Sequence, residues 1–141
     1  MESRRFVVLT MVQIVGVCVL LWIAATMPGP WDLQRDAGTA LVIAAVSGIA
    51  VARYQLGRSF SIRAEAHQLV TRGIYSKIRN PIYVFATLMI AGFVLIIHRP
   101  MGWLFVFAIA LLQTLRAHRE ARVLEAAFGE AYREYRRKTW F

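Results

Sequence analysis

Four long apolar runs, separated by short polar connections, constrain this chain more than any other feature of it. Residues 6–27 are interrupted by little more than Thr10, Gln13 and Thr26. About 20 apolar residues in helical form cross a bilayer, so this run qualifies as a span. Residues 37–54 form a second run, and residues 81–97 and 101–115 a third and fourth, both short for a full crossing. His98-Arg99-Pro100 leaves the last two only a tight turn, which makes them a helical hairpin with polar ends at the interfaces. Hydrophobic residues are 58% of 141, too many for a small soluble core to hide. The expected fold is all-α: a polytopic membrane protein of about four transmembrane helices, followed by a cytosolic amphipathic C-terminal helix. Residues 1–141 are expected to form one domain.

The formal net charge of +9 raises the question of a nucleic-acid partner, and its distribution answers it. Of the 17 lysines and arginines, all but Arg35 and Arg99 precede the first run, fall between the last turn of the second and the start of the third, or follow the fourth. That asymmetry is the positive-inside pattern. It predicts both termini on the cytoplasmic face, in the plasma (inner) membrane if the chain is bacterial. The polar segments 55–80 and 116–141 then share that face, where their cations meet anionic headgroups rather than nucleic acid. Arg4, Arg5 and Ala24-Ala25 also suit a secretory signal, but the apolar part is longer than a signal core and further spans follow.

Local punctuation supports the same layout. Pro28-Gly29-Pro30 ends the first helix, Trp31 suits the interface, and an outer turn runs through Asp36. Ala40, Ala44, Gly48 and Ala52 recur every four residues and predict a small-residue face for close helix packing. Pro81 suits a first helical position, where no N–H is needed, and His98 and Arg99 are expected to snorkel outward. Beyond Arg116, Leu124, Phe128, Ala131 and Tyr135 make an apolar stripe on a polar helix that Gly129 interrupts. Glu130 and Glu134 stand at pairing distance from Arg133, Arg137 and Lys138. The ending, Lys138-Thr139-Trp140-Phe141, reads as an interfacial anchor.

Several chemistries lack their signatures. Neither a dinucleotide fingerprint nor a P-loop occurs, and no serine has a nucleophile-elbow context. Cys18 is alone, and His67, His98 and His118 lack ligand spacing, so no metal is expected. What remains is HQLVTRGIYSKIRNPIY, residues 67–83, a basic stretch running straight into the third run. It resembles the LVTxGxY and RHPxYxG signature of the isoprenylcysteine carboxyl methyltransferase and phospholipid methyltransferase superfamily. Arg116-Ala117-His118-Arg119-Glu120 and Leu124-Glu125-Ala126-Ala127-Phe128-Gly129-Glu130-Ala131-Tyr132 resemble that family's RxxxEExxL…FGxxYxxY tail. Together the matching segments cover about half the chain, in order and at the family's usual spacing.

The resemblance implies an integral-membrane methyltransferase using S-adenosylmethionine and a lipidic acceptor that enters from the bilayer. An isoprenylated cysteine carboxylate is placed first, because the HxLVTxGxY form is closer to that branch. A phospholipid amine is the alternative, as is a non-catalytic membrane module that keeps the fold. By position, the cofactor residues are His67, Leu69, Val70, Gly73, Tyr75, Asn80, Pro81 and Tyr83, and the catalytic ones are Arg116 and Glu120. The residue chemistry is compatible. Leu69, Val70, Tyr75 and Tyr83 can wall an adenosine, and Gly73 permits close backbone approach. Arg116 can clamp a carboxylate, and Glu120 can balance a sulfonium or take a proton from an amine. Paired with each other at four-residue spacing, Arg116 and Glu120 would instead be structural. Three departures stand out: Asn80 replaces a histidine, Phe85 a glycine, and Ala121 the second acidic residue of the EE pair.

Overall fold

The computed structural model describes residues 2–26, 28–56 and 69–141, without the side chains of 2–10, 12 and 13. Five α-helices make up the described chain: α1 Glu2–Thr26, α2 Leu33–Leu56, α3 Pro81–Ile97, α4 Gly102–Phe128 and α5 Glu130–Lys138. One 3-10 turn, Gly73–Ser76, precedes α3, and no strand occurs among the described residues. The all-helical expectation holds. The membrane crossings are supported more narrowly. Among the described residues α2 alone is long and apolar enough to span, with shorter apolar helices at Ile14–Thr26 and Pro81–Ile97.

α2 and α3 form the tightest pair, and they run antiparallel because Gly38 meets Gly92 while Gly48, further along α2, meets Phe85 at the start of α3. A Cβ on Gly38 would lie 2.7 Å from the Gly92 carbonyl oxygen, and one on Gly92 would lie 2.7 Å from Val42 Cγ2. Only bare backbone allows that approach, which is how helices associate where lipid supplies no hydrophobic drive. The face that α2 buries is Gly38, Val42, Ala45 and Ala52. Ala40 and Ala44, expected on it, are exposed. A strict period of four drifts about 40° per step around a 3.6-residue helix, so the four-residue series cannot stay on one face. Val42 and Ile96 join Ala24 of α1 in the core, with Leu21, Val46, Met89 and Phe93 packed around them.

The end carrying the α1–α2 and α3–α4 turns is tied by polar contacts that the sequence left unassigned. Asp32 caps α2 by accepting the Arg35 backbone N–H at 2.9 Å, which starts this helix before the expected residue 37. Arg35 is buried, donates to the Ala24 carbonyl at 2.6 Å and the Gly29 carbonyl at 3.2 Å, and lies over the Trp31 ring. His98 does not merely snorkel. Its Nε2 is 3.0 Å from Asp32 Oδ2 and its Nδ1 3.0 Å from the Ile96 carbonyl. Both ring nitrogens face acceptors, so the imidazolium is the form that satisfies them. The contacts raise the His98 pKa, first through the Ile96 carbonyl and then through Asp32. Asp32 is lowered in turn, first by the Arg35 N–H.

α3 begins at Pro81 and ends at Ile97, as expected, with His98 in the left-handed region. The hairpin is tight: a Cβ on Gly102 would lie 2.8 Å from Val94. α4 differs from expectation. It does not stop near residue 115 but continues to Phe128, because RAHREARVLEAAF holds strong helix formers and neither Gly nor Pro. At 1.5 Å per residue it is about 40 Å long, longer than the roughly 30 Å of a hydrocarbon core, with its apolar residues in the first half and its charged residues in the second. Gly129, at φ +53, ends it and turns the chain into α5. Of the expected stripe, Ala131 is exposed, and Tyr132 is buried in its place beside Tyr135.

Candidate functional site

The segment before α3, the charged C-terminal half of α4, α5 and the last residues converge at the end of the bundle opposite His98. The Gly73–Ser76 turn needs Gly73 at φ +62, where a Cβ would run into the Gln55 carboxamide. Gln55, at the end of α2, accepts the Ile74 N–H at 2.7 Å and so ties this turn to α2. Tyr75 is buried, and its carbonyl accepts the Tyr135 hydroxyl at 2.7 Å. Residues 77–80 run beside the chain end: Ile78 and Trp140 form an isolated parallel bridge. Trp140 N–H donates to the Lys77 carbonyl at 2.7 Å, Arg79 N–H to Trp140 O and Asn80 N–H to Phe141 O, each at 3.0 Å. The ending is therefore paired backbone, in addition to presenting an exposed Trp140.

Asn80 caps α3 through its backbone, since its carbonyl accepts the Tyr83 N–H at 3.1 Å and no side-chain cap bond forms. Pro81 is fully buried behind it. One turn on, the Tyr83 hydroxyl donates to Glu120 Oε2 at 3.1 Å, joining residues 37 apart in sequence. Glu120 makes this bond and no ion pair with Arg116 among the described residues, so the structural pairing of those two is not the arrangement found. Arg116 is exposed, one helical turn away, within electrostatic reach of the Tyr83 hydroxyl.

Glu120 also acts electrostatically on Tyr75 and Tyr132, which places its carboxylate among three tyrosines. Burial pushes the Tyr75 phenol well up, and the Tyr135 phenol up to about 12. Tyr132 is raised by burial against the pull of Arg79 and Arg136. These phenols stay protonated at neutral pH, and Glu120 is the acidic side chain among them. Arg79 reaches toward Tyr132, and its Nε is buried without a hydrogen-bond partner. Such a donor is suited to an incoming anionic group, since an unmade buried bond costs free energy. On the outside, Glu125 pairs with Arg133 at 2.8 Å and Arg136 at 3.9 Å across the Gly129 elbow. The pairs expected at three- and four-residue spacing, Glu130 with Arg133 and Glu134 with Lys138, are present, and Arg137 pairs with Glu130 two turns back.

Of the residues anticipated from sequence, Tyr75, Asn80, Pro81, Tyr83, Glu120 and Arg116 gather here. Gly73 lies beside them in the turn. Leu69 and Val70 are half-buried at the start of the segment, and His67 lies outside the described residues. Gln55, Arg79, Tyr135 and the Trp140-Phe141 backbone were not singled out as site residues. For Tyr132 and Tyr135 the FGxxY spacing of the tail was the available signal. For Gln55 and the chain end there was none. Phe85, the bulky departure, is accommodated, because its ring lies over Gly48, where a Cβ would come within 2.6 Å.

A family model described as phospholipid methyltransferase matches residues 36–131, about two thirds of the chain. No curated protein and no solved structure gives a significant match.

Proposed function

The chain belongs to the phospholipid methyltransferase family, and from that premise we propose that it transfers a methyl group from S-adenosylmethionine to a lipidic acceptor at the Tyr83–Glu120 cluster. The observation that carries this reading is the 3.1 Å hydrogen bond between Tyr83 and Glu120. It joins the two family motifs at a carboxylate set among tyrosines, at the bundle end that also carries Arg79, Arg116 and α5.

The cluster fits a sulfonium-bearing cofactor. Glu120 and the faces of Tyr75 and Tyr132 suit a cation, and the unsatisfied Nε of Arg79 suits a carboxylate. S-adenosylmethionine, when bound, supplies an electrophilic methyl group and leaves as a neutral thioether. Gly73, Tyr75, Asn80 and Pro81, with Leu69, Val70 and His67 before them, are proposed to hold it. The protein's part is to orient the acceptor in line and to exclude water. With a phospholipid amine, Glu120 attracts the ammonium and accepts its proton, freeing the lone pair that attacks; Tyr83 holds the carboxylate in place. The Glu120 role does not require an acidic residue at Ala121. This acceptor is favoured by the family's description. A second reading, an isoprenylated cysteine carboxylate, is favoured by exposed Arg116 beside Tyr83, which suits a bidentate clamp.

The proposal places residues 1–141 in one domain with four crossings, α1, α2, α3 and the apolar half of α4. It puts both termini on the cytoplasmic face of the membrane, against anionic headgroups. The strongly exposed Trp103, Leu104, Phe105 and Phe107 on α4 support a lipid-facing surface. The test is isothermal titration of detergent-purified protein with S-adenosylmethionine and its demethylated product. Saturable binding of both supports the reading; absence of binding at millimolar ligand would leave a non-catalytic membrane module.

A further inference from the structure

We infer that the main chain of Trp140 and Phe141 positions the start of α3, and with it the Tyr83 hydroxyl, against Glu120. These residues lie beyond the family match, which ends at 131. Arg79 and Asn80 are the last residues before α3, and their N–H groups both donate to this ending, to Trp140 O and Phe141 O. Trp140 N–H returns a bond to the Lys77 carbonyl at 2.7 Å, so residues 77–80 are held along their length. The Asn80 carbonyl, fixed by these bonds, accepts the Tyr83 and Val84 N–H groups at 3.1 and 3.2 Å and sets the first turn of α3.

The other side of the connection is equally fixed. Glu125 grips Arg133 and Arg136 across the Gly129 elbow, and Tyr135 donates to the Tyr75 carbonyl. A closed circuit results: α4, the elbow, α5, the ending, residues 77–80, α3, and back to α4 through Tyr83 and Glu120. Opening the circuit at its last link frees residues 77–80 on one side while leaving the α2–α3 packing intact. A positioning element of this kind affects turnover more than fold. The inference rests on the proposed methyl transfer for its kinetic consequence, but not for its structural one.

The contacts are main-chain, and that makes the test specific. Three variants are compared in detergent: Trp140→Leu, which keeps every backbone bond; Trp140→Pro, which loses the N–H to Lys77; and a chain ended at Thr139, which loses all three bonds. Hydrogen exchange is read at the Arg79 and Asn80 amides, together with the unfolding midpoint and methyl transfer from S-adenosylmethionine to phosphatidylethanolamine vesicles. In the chain ended at Thr139, exchange at both amides is expected to rise about tenfold or more. Turnover is expected to fall by about tenfold or more with the unfolding midpoint little changed, since small misplacements at a reacting centre carry large kinetic penalties. Trp140→Pro should lie between, and Trp140→Leu should match the parent. Unchanged exchange at Arg79 and Asn80 in the shortened chain would overturn the inference. So would a Trp140→Leu variant as impaired as the shortened one, which would make the indole an interfacial anchor instead. A parent protein that binds no S-adenosylmethionine would sink the proposed function alone, because the exchange readout needs neither cofactor nor acceptor.

Discussion

Replacing Gly48 with alanine tests whether α2 and α3 are held together by fit. The added methyl would sit 2.6 Å from Phe85 Cδ1 and Cε1 and 2.7 Å from Cγ. Ordinary carbon contact is about 3.5–4.0 Å, so the ring or the helix must retreat by roughly 1 Å. Neither has free room, because Gly38 and Gly92 already bring the same two helices to backbone contact. Overpacking of this kind costs about 1–3 kcal/mol, which for a chain of this size is a fall of roughly 3–10 °C in unfolding midpoint. Tryptophan fluorescence during thermal unfolding in detergent measures it. Gly16→Ala is the internal control, since a Cβ there meets nothing within 4 Å and helix propensity favours alanine. Combining Gly48→Ala with Phe85→Ala should recover part of the loss, with a coupling of about 0.5–3 kcal/mol. Strictly additive effects, or a Gly48→Ala variant as stable as Gly16→Ala, would refute the claim that Phe85 is accommodated by Gly48.

Three further outcomes are expected. Tyr135→Phe removes the buried donor to the Tyr75 carbonyl and should cost about 1–3 kcal/mol in the same unfolding assay, whereas a loss within error would mean that bond is not made. Arg116→Ala should lower turnover far more than cofactor affinity; an equal loss in both would place Arg116 in the cofactor site. The His98–Asp32 tie gives a pH dependence whose sign follows from the shifts. Because His98 is raised, its contribution is full below its ordinary value of 6.5 and fades as pH rises through the higher folded value. Because Asp32 is lowered, its contribution is full above 3.8 and is lost as pH falls through the lower folded value. NMR titration of the His98 ring should therefore show a midpoint above 6.5 that drops in Asp32→Asn, and a midpoint unmoved by that change would remove the tie.

Features set by local chemistry were legible in the sequence. Pro81 and His98-Arg99-Pro100 bound α3, because a proline at the start and a proline after the end leave a helix little choice. Gly129 marked the elbow for a similar reason. Charge was a poorer guide to helix ends: residue 116 opens a polar stretch, yet backbone hydrogen bonding in α4 does not depend on whether side chains meet lipid or water. Contacts between segments distant in sequence were not legible. The motifs put Tyr83 and Glu120 in one neighbourhood, but their hydrogen bond follows from how α3 and α4 pack. Phe85 was visible as a departure, while Gly48, its counterpart, was visible only as one small residue among several. The pairing of residues 77–80 with the chain end involves too few residues for any alternation pattern to announce it.

The central claim is that Glu120, held by Tyr83, acts on a lipidic methyl acceptor. The most direct measurement is transfer of label from methyl-labelled S-adenosylmethionine to phosphatidylethanolamine vesicles and, in parallel, to a farnesylcysteine analogue, for the parent protein and Glu120→Gln. The account predicts labelled lipid with the parent and a loss of about a hundredfold or more in Glu120→Gln at little change in cofactor affinity. Label on the farnesylcysteine analogue alone would move the acceptor to the carboxylate reading. Label on neither, or a Glu120→Gln variant as active as the parent, would contradict the account.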